Sequence, residues 1–486
     1  MASLEEIRQE RLHKLEVLKE QGVNPYPAKT LRNHSLEGII SQFSELETNQ
    51  TVVHLAGRVM SIRSQGALIF ITISDGTGFF QALFKRDKMA ESAFELFSAT
   101  VDVGDFVEVG GTLFTSSRGE KTLKVVDWKM LTKSLRPLPE KWHGLQDEEE
   151  RLRRRYLDIL TNPEVRIMIE KRSQFWQTIR EFLLARNFLE VDTPILENTA
   201  GGAEAKPFTT HHNALDLNVY LRIAPELWLK RLMIAGLPKV FEIGRIFRNE
   251  GMDAEHLQDY TIMEFYWAYA DYEMGMSLVE ELYKAIADKV FGTRQFKIKG
   301  FDIDLNKPWE RYDYADTIKA KTGIDISKVT LKEIEAKLGK LSVDYDRNGF
   351  NLNRAIDTLW KYCRRQISGP GFLVNVPVMM EPLAKRRADN PDFVERFQVI
   401  LAGSELGKGF SELNDPLDQA ERFTEQTKLR EAGDEEAQMY DQDFVEALEY
   451  GMPPTCGFGV SERLFSFLMD KPVRETQIFP LMKPKE

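Results

Sequence analysis

The stretch FEIGRIFRNE (residues 241–250) places two arginines and two glutamates in a segment whose aromatic and β-branched residues are typical of a strand. Burying an unpaired charge costs several kcal/mol, so these four side chains need partners. A second strand-like segment, YTIMEFYWA (260–268), follows after a polar loop. We therefore expect an antiparallel hairpin with strands at 239–249 and 260–268.

The two faces of this hairpin differ in polarity, because successive side chains of a strand point in opposite directions. The odd-numbered face is apolar, and we interpret Arg245 on that face as structural. The even-numbered face carries one arginine, three carboxylates and two phenols: Arg248, Glu242, Glu250, Glu264, Tyr260 and Tyr266. Two interpretations fit this face, a solvated network of salt bridges or the floor of a ligand site. In a ligand site an arginine binds phosphate or carboxylate, carboxylates bind amines, and an aromatic ring stacks on a base.

The composition is that of an ordinary globular chain of 486 residues, 42% hydrophobic and 29% charged. Such a length allows roughly two to four domains. No apolar run approaches the roughly 18 residues that span a bilayer, and the polar start lacks the features of a secretory signal. Two cysteines form neither a disulfide framework nor a metal-ligand spacing. We therefore expect a cytoplasmic protein, and the net charge of −11 argues against coating nucleic acid by bulk charge.

The first part of the chain combines a helix with a series of short strands. Helical spacing of apolar residues predicts a helix at 4–21. From about residue 51 to 132, apolar and polar residues alternate, and glycine turns such as DGTG (75–78) separate the runs. This pattern predicts a small barrel, for which the five-stranded oligonucleotide-binding (OB) barrel is one of several candidate folds. We expect this domain at 1–140 and a linker at 141–160.

The remaining residues, 161–486, mix helices and strands irregularly, which predicts an α+β domain. Asn162 is the expected N-cap of a helix that has Pro163 at its first position and ends near residue 187. FLEVDTPIL (188–196) is expected to form a strand, with its proline at an edge or a strand end. Because such a domain is large for one core, we expect an insertion near 300–350.

Three segments resemble the signature motifs of class II aminoacyl-tRNA synthetases. FLEVDTPIL resembles motif 1, FRNEG with YTIMEFYWAYADY resembles motif 2, and GFGVSERLFSFL (457–468) resembles motif 3. Residues 201–232 and 407–423 are similar to lysyl-tRNA synthetases rather than to their aspartyl and asparaginyl relatives. The resemblance covers nearly the whole chain. It implies an α+β fold in which an N-terminal OB barrel precedes a catalytic domain built on an antiparallel sheet.

The resemblance implies a ligase that converts L-lysine and ATP to lysyl-adenylate and transfers the lysyl group to the 3′ end of tRNA(Lys). Adenylation brings a carboxylate to the α-phosphate, so positive charge and Mg²⁺ are required. By resemblance, the catalytic residues are Arg248, which bridges the two anions, and Arg463, which covers adenine and reaches the γ-phosphate. The residues expected to bind ATP are Arg248, Glu250, His256, Tyr260, Glu405 and Arg463.

Lysine recognition requires buried acceptors, because an ammonium on an apolar stem needs a carboxylate at the end of its pocket. By resemblance, Glu412 and Tyr266 hold the ε-ammonium, and Glu226 with the Gly202 backbone holds the α-amino group. The set expected to bind lysine is Gly202, Glu226, Arg248, Glu264, Tyr266, Phe410 and Glu412. From the residues alone, an exposed position on a helix is the favoured interpretation of Glu226.

The expected metal site departs from the family pattern. The resemblance assigns Glu405 and Glu412 to Mg²⁺, but Gln398 stands where the partner glutamate of Glu405 is usual. An amide is a weaker, neutral ligand, so we expect fewer or more weakly held ions. Lys408 replaces the usual asparagine, and it either reaches phosphate and supplies part of the metal charge or points to solvent. Motif 3 is one residue shorter than usual, which leaves Arg463 as its anchor.

In the barrel, the resemblance places Phe70 and Gln81 as stacking and reading residues for the tRNA anticodon, with Arg63 nearby. Asp127 stands where the family usually has glutamate, and Phe70 is also compatible with a place in the barrel core. Motif 1 implies a homodimer, although an amphipathic helix also fits internal packing.

Two other functions compete with this interpretation. An aspartyl- or asparaginyl-tRNA synthetase would need a cationic or amide group in place of Glu412. A non-catalytic, synthetase-like RNA-binding protein would not need to retain Arg248, Glu250, Glu405 and Arg463.

Overall fold

A computed structural model gives the structure of the protein and describes residues 3–139, 145–251, 253, 255–345, 347, 350–434 and 436–485. The chain forms two compact units: Met1–Arg151 with Tyr156–Thr161, and Leu152–Arg155 with Asn162–Glu486. The predicted boundaries at 1–140, 141–160 and 161–486 stay a prediction. Part of the predicted linker lies outside the described residues.

The first unit is built around a closed five-stranded barrel in the order β1-β2-β3-β5-β4, which confirms the OB fold. Its strands are β1 (Val52–Gln65), β2 (Leu68–Ser74), β3 (Phe79–Lys85), β4 (Phe106–Thr115) and β5 (Lys121–Thr132). Its helices, with the two that follow the barrel, are α1 (Leu4–Glu20), α2 (Leu36–Ser41), α3 (Phe43–Thr48), α4 (Glu91–Thr100), α5 (Glu148–Arg153) and α6 (Arg155–Thr161). A short 3₁₀ turn occupies Arg86–Lys88. The barrel core consists of alternate strand residues such as Ile69, Ile71 and Ile73, which are buried.

The second unit combines helices with a large sheet, as expected for an α+β domain. Its helices are α7 (Pro163–Leu184), α8 (Glu226–Ile234), α9 (Tyr272–Ile286), α10 (Tyr314–Thr322), α11 (Leu331–Lys340), α12 (Leu352–Arg364), α13 (Pro416–Glu431), α14 (Gln442–Glu449) and α15 (Arg463–Leu468). Its first strands are β6 (Leu189–Glu190), β7 (Leu196–Glu197), β8 (Thr209–His212), β9 (Leu217–Leu221), β10 (Lys239–Phe247), β11 (Asp259–Ala268), β12 (Gln295–Ile298) and β13 (Phe301–Asp304). The others are β14 (Glu310–Asp313), β15 (Gly371–Val374), β16 (Val376–Pro377), β17 (Phe393–Val394), β18 (Arg396–Leu401), β19 (Ser404–Ser411) and β20 (Thr455–Ser461). A π-helical turn, Ala287–Phe291, follows α9, and a 3₁₀ turn occupies Val378–Met380.

In the described chain the main sheet has the order β14-β15-β18-β19-β20-β11-β10-β6. The neighbouring strands from β15 to β10 are antiparallel. The terminal strand β14 runs parallel to β15, and the terminal strand β6 runs parallel to β10. The predicted hairpin is confirmed as β10 and β11, which pair antiparallel. Glu242 lies opposite Glu264, and Ile246 lies opposite Tyr260, so the two even-numbered faces coincide.

One carboxylate of that face is committed to the protein itself. Glu242 is 3% exposed, and its Oε1 lies 2.6 Å from Nη1 of Arg222, which is also buried. The Thr193 hydroxyl donates to Glu242 Oε2 at 2.7 Å. Arg245, on the opposite face, pairs with Asp259, as its interpretation as structural predicts. Because Glu242 is paired within the protein, the candidate ligand floor consists of the other polar residues of this face.

The helix of motif 1 forms as predicted, but its strand does not. Asn162 caps α7 by accepting a hydrogen bond from the Glu164 amide at 3.1 Å. The prediction of one strand over 188–196 is wrong, because only β6 and β7 at its two ends form ladders. Pro194 lies between them and has no amide hydrogen to donate, so a continuous ladder is excluded there. Helices α10, α11 and α12 occupy the region of the expected insertion and the residues that follow it.

Candidate active site

A cavity of about 340 Å³ lies over the even-numbered face of β11. Tyr260, Ile262, Glu264 and Tyr266 of that strand line it. The other walls include parts of β18, β19 and β20, the start of α8, the segment before β8 and the segment at Met380 and Glu381. The residues predicted to bind lysine all line this cavity: Gly202, Glu226, Arg248, Glu264, Tyr266, Phe410 and Glu412. Four of those predicted to bind ATP line it as well: Arg248, Tyr260, Glu405 and Arg463.

The two other residues predicted to contact ATP lie outside the lining of this cavity. Glu250 is partly buried three residues beyond the end of β10. His256 is exposed in the loop between the hairpin strands, where its Nδ1 lies 2.8 Å from Asp253 Oδ2. Because both follow the end of β10, strand periodicity does not fix where they point. Their roles stay predictions.

The buried end of the cavity is strongly acidic. Glu226, Glu264 and Glu412 are at most 7% exposed, and Tyr266 lies beside them with its hydroxyl 3.2 Å from Glu264 Oε2. Burial raises the pKa of Glu264 to about 8, and the neighbouring Glu226 contributes in the same direction. Burial also raises the pKa of Glu412 well above its ordinary value, although Lys230 opposes this. Such a group of carboxylates attracts a cationic ligand, because an ammonium restores the charge balance.

Lys230 contacts two of these carboxylates. It lies on α8 one turn after Glu226, and its Nζ is 2.6 Å from Glu226 Oε1 and 2.5 Å from Glu412 Oε2. Burial alone would lower the pKa of Lys230, but Glu226 and Glu412 outweigh burial and raise it. The other oxygen of Glu412, Oε1, is buried without a hydrogen-bond partner among the described residues. That oxygen is available to a ligand.

Arg248 lies at another part of the cavity with its charge largely unused by the protein. Its Nη2 makes one long hydrogen bond, 3.4 Å, to the carbonyl of Ile223. Its Nε is buried and has no partner in the described part of the chain. The guanidinium lies 5.7 Å from the ring centroid of Tyr260. A partly buried guanidinium with donors available is suited to an anionic ligand such as a carboxylate or phosphate.

Arg463 is held at the cavity by an acidic residue that the sequence analysis did not identify. The hairpin loop supplies Glu255, which pairs with Arg463 Nη2 and lies 2.6 Å from Lys299 Nζ. Burial would raise the pKa of Glu255, but Arg463 and Lys299 outweigh it and hold the pKa low. Arg463 is therefore positioned by an ionised carboxylate before any ligand arrives.

The residues considered as magnesium ligands each have a different protein partner. Glu405 lines the cavity and accepts a hydrogen bond from Trp360 Nε1 at 2.6 Å. Gln398 also lines it, but its Oε1 accepts from Arg396 Nη2 at 2.5 Å. Glu412 is in contact with Lys230 at the buried end. Within the described residues, no group of three or more His, Cys, Asp or Glu side chains could hold a metal ion.

This donor set fits Mg²⁺ bound through few protein ligands. Mg²⁺ commonly uses one or two carboxylates together with substrate phosphates, and Glu405 supplies one carboxylate here. The contact of Glu412 with an ammonium favours a role in cation binding over metal ligation. The residues present therefore fit an ion that depends mainly on nucleotide phosphate.

Lys408 belongs to a charged cluster on the cavity wall. Its Nζ lies 3.0 Å from Glu381 Oε2, and Nε of Arg396 lies 3.2 Å from the same oxygen. Glu381 is 4% exposed, and burial would raise its pKa, but Lys408 and Arg396 outweigh burial and lower it. One carboxylate thus faces two cations, and Lys408 remains 43% exposed at the cavity. Glu204 also lines the cavity.

Glycines on β20 provide the space for the acidic residues. A Cβ at Gly457 would lie 2.1 Å from Glu412 Oε1 and 2.7 Å from Cε1 of Tyr266. Gly202 has a positive φ of 83°, and a Cβ there would lie 2.9 Å from Cβ of Glu226. The resemblance to motif 3 identified the glycine-rich strand from the sequence, whereas the contact of this strand with Glu412 is seen only in the folded structure.

In the barrel, three of the four predicted anticodon residues lie together. Arg63 is opposite Phe70 on β1 and β2, and Arg63 Nη2 donates to Gln81 Oε1 at 3.2 Å. Phe70 is partly exposed between the buried Ile69 and Ile71, so it lies outside the barrel core. Asp127 is exposed on β5 opposite Gly110, in a different part of the barrel from these three. Phe79, 61% exposed on β3, is an aromatic residue near this group that the sequence analysis did not name.

Several residues of the site were not predicted from the sequence. Lys230, Glu255, Glu381, Arg396 and Glu204 all contact or line the cavity group described above. A spacing of four residues between Glu226 and Lys230 on a helix could have indicated their contact. Of the other four, Glu255 lies in the loop of motif 2 and Glu204 in the segment 201–232, but the sequence contains no periodic signal for the contacts of any of them.

Comparisons with known proteins agree with these features. The family described as tRNA synthetases class II (D, K and N) matches residues 147–483, and an OB-fold nucleic acid binding domain matches residues 53–131. A lysine–tRNA ligase of Thermoanaerobacter pseudethanolicus is 46% identical over 99% of this chain and 97% of its own. Those of Thermotoga maritima and Pelotomaculum thermopropionicum are each 43% identical over 99% of this chain and 97% and 96% of their own. None of the helices in the described chain has the length and hydropathy that crossing a bilayer requires. The chain therefore belongs to the class II tRNA synthetases (D, K and N) and, within them, to the family of these lysine–tRNA ligases.

Proposed function

We propose that the protein is a lysine–tRNA ligase, which forms lysyl-adenylate from L-lysine and ATP and transfers the lysyl group to the 3′ end of tRNA(Lys). The observation that carries this proposal is the buried acidic end of the cavity. Three carboxylates lie there, and Glu412 Oε1 has no hydrogen-bond partner among the described residues. An ammonium ligand supplies what this end lacks, whereas the carboxylate of an aspartate substrate would be repelled there.

Lysine recognition follows from these contacts. We assign Glu412 and Tyr266 to the ε-ammonium and Glu226 to the α-amino group, with Phe410 along the aliphatic stem. Glu264, which accepts a hydrogen bond from the Tyr266 hydroxyl, supplies a further acceptor. The uncharged amide of an asparagine substrate would leave Glu412 Oε1 without a cationic partner, which disfavours the asparaginyl alternative.

The chemistry requires the lysine carboxylate to attack the α-phosphate of ATP in line, with pyrophosphate leaving. Two anions approach one another in this step, so fixed cations lower the barrier. Arg248 is suited to orient both anions because its Nε has no partner among the described residues and its Nη2 makes one long hydrogen bond there. Arg463, held by Glu255, is assigned to the nucleotide phosphates. No covalent nucleophile of the protein is needed, because positioning and charge neutralisation supply the rate.

We assign Mg²⁺ to Glu405 together with phosphate oxygens of ATP. When bound, the ion neutralises phosphate charge and stabilises the charge that develops on the leaving pyrophosphate. We assign Lys408 a supplementary role as a fixed positive charge near the nucleotide, supported by its partial exposure at the cavity. Glu412 is left to the substrate ammonium.

The barrel face formed by Arg63, Phe70 and Gln81 is proposed to bind the anticodon of tRNA(Lys), because a partly exposed aromatic beside polar readers suits single-stranded RNA. Asp127 remains a candidate contact at a separate point. We also propose a homodimer in a reducing cytoplasm, and the free, buried state of Cys363 and Cys456 is compatible with that compartment.

Pyrophosphate exchange into ATP, measured with each of the twenty amino acids, tests the proposal. Exchange that depends on lysine alone is the expected result. Exchange with aspartate or asparagine would instead support the sister enzymes, and no exchange with any amino acid would leave an RNA-binding protein. A Glu412→Gln variant is expected to raise the KM for lysine at least roughly tenfold, because it removes a charge-assisted contact.

A further inference from the structure

Lys230 is a buried cation to which the proposed reaction gives no task. Its side chain is 0% exposed, and it extends from α8 to the two carboxylates proposed for the two ends of the substrate. The rings of Phe410 and Phe444 lie 5.3 Å and 5.9 Å from its Nζ. The burial of an ammonium is costly unless it has charged partners, so these contacts hold it firmly.

The position of Lys230 is behind the cavity wall. Glu226, Phe410 and Glu412 line the cavity, whereas Lys230 does not. Its ammonium therefore reaches both carboxylates from the protein side. The Oε1 atom of Glu412 remains without a hydrogen-bond partner in the described chain. Lys230 thus fixes two carboxylates while leaving acceptor capacity for a ligand.

The charges at this end match those of lysine. Three carboxylates, Glu226, Glu264 and Glu412, lie near one protein ammonium, that of Lys230. If all are ionised, two negative charges remain, and lysine carries two ammonium groups. An amino acid of equal length with an uncharged end leaves one buried carboxylate unpaired, which is strongly unfavourable.

We propose that Lys230 is a specificity-determining positioning residue, which holds the carboxyl groups of Glu226 and Glu412 where they accept the two ammonium groups of lysine. The inference rests on the proposed function. Without Lys230, the two carboxyl groups lose the ammonium that fixes them, and a displaced acceptor no longer meets the ε-ammonium with good geometry. A charge-assisted contact loses more from such a displacement than the weaker contact of an uncharged hydroxyl does, so the preference for lysine falls.

A purely structural ion pair makes a different prediction. If Lys230 only anchored α8, its replacement would lower stability or the active fraction but leave the choice between substrates unchanged. The ratio of kcat/KM for two amino acids is independent of the active fraction. That ratio therefore separates the two roles.

The experiment measures pyrophosphate exchange with L-lysine and with L-6-hydroxynorleucine, which has a hydroxyl in place of the ε-ammonium. The variants are Lys230→Met and, as a matched control on the same helix, Arg231→Met, which breaks an ion pair with Asp441 at 2.9 Å. For Lys230→Met we expect the KM for lysine to rise and the lysine preference to fall, each by roughly tenfold or more. For Arg231→Met we expect the wild-type preference.

An unchanged preference in a folded, active Lys230→Met would overturn the inference. If that variant does not fold, Lys230→Gln, which keeps a hydrogen-bond donor but not the charge, replaces it with the same expectation and the same contrary result. The wild type separates this inference from the proposed function. Absence of lysine-dependent exchange by the wild type would refute the function, whereas normal exchange with an unchanged variant preference refutes only the role of Lys230.

Discussion

At the scale of single residues, we expect Glu264 to couple lysine binding to the release of a proton. Burial, with a contribution from Glu226, raises its pKa to about 8, so this carboxyl is mostly protonated at pH 7 in the free pocket. A bound ammonium favours the ionised form and releases the proton. We therefore expect release of up to about one proton per lysine at pH 7, and an affinity that rises between about pH 6 and pH 8.

Calorimetry of lysine binding in two buffers of different ionisation enthalpy measures this proton release. In Glu264→Gln the release should decrease by up to about one proton, because the amide does not titrate. Glu250→Gln, a carboxylate outside the cavity lining, is the matched control and should release as many protons as the wild type. Equal release by Glu264→Gln and the wild type would show that another group carries the proton.

Lys408 provides the second test at this scale, because it supplies a positive charge where the metal ligands are few. In a variant without Lys408, Glu381 keeps its ion pair with Arg396, and the cavity loses one positive charge. For Lys408→Ala we expect a several-fold higher KM for ATP and saturation at higher magnesium concentration, while the KM for lysine changes less. Titrations of exchange activity with ATP and with magnesium measure both effects.

Lys289→Ala is the matched control for this change. Lys289 pairs with Glu181 on the surface of the same unit and does not line the cavity. Its removal should leave both titrations as in the wild type. If Lys408→Ala binds ATP as the wild type does, Lys408 serves only to pair with Glu381.

At the scale of elements, the hairpin of β10 and β11 shows what a sequence pattern predicts well. Period-two alternation placed Glu264, Tyr266 and Tyr260 on one face, and the strand register agrees. Beyond Phe247, where β10 ends, the alternation was a poorer guide, because Arg248 lines the cavity but Glu250 does not. The single strand predicted at 188–196 was wrong for a related reason, since composition alone does not show where a ladder partner is absent.

Strand β20 offers a test of the pocket's shape. Its Gly457 and Gly459 are two residues apart on one face, but a Cβ at Gly457 would lie 2.1 Å from Glu412 Oε1, and one at Gly459 would lie 3.2 Å from Cγ of Glu264. For Gly457→Ala we expect the KM for lysine to rise by roughly a hundredfold, because the methyl group displaces a carboxylate that binds the ammonium. Gly459→Ala requires only a small shift and should have a much smaller effect.

Exchange kinetics with lysine, together with thermal unfolding of both variants, make this comparison. A loss of activity that accompanied global unfolding of Gly457→Ala would indicate a structural requirement instead of a pocket requirement. Similar KM values for the two variants would contradict the expected contact with Glu412.

At the scale of the whole molecule, the sequence predicted the fold class and the order of the domains, but not the contacts between distant residues that complete the site. Local signals, such as the Asn162 cap and the strand alternation of the barrel, act over a few residues and were sufficient for the elements. The partners that set the charge of the cavity come from distant positions: Lys230 meets Glu412, Glu255 meets Arg463, and Glu381 meets Lys408. Such contacts depend on how the elements pack in three dimensions, and no periodic pattern in a single sequence indicates that packing.

Association of two chains is the property that belongs to this scale. Between residues 163 and 197, five large apolar side chains are 44–51% exposed: Ile167, Leu184, Leu189, Ile195 and Leu196. The same segment contains β6, one of the two terminal strands of the main sheet in the described chain. Exposed apolar groups and a free sheet edge both favour a protein partner, and the proposed homodimer supplies one.

Light scattering coupled to gel filtration tests the homodimer. The wild type should have the mass of two chains, and Leu189→Asp with Ile195→Asp should have the mass of one, because two charges buried without partners oppose association. Leu417→Asp, at a leucine that is 74% exposed on α13, is the control and should leave the mass at two chains. A wild type with the mass of one chain would contradict the homodimer, and a paired variant that stays dimeric would place the interface elsewhere.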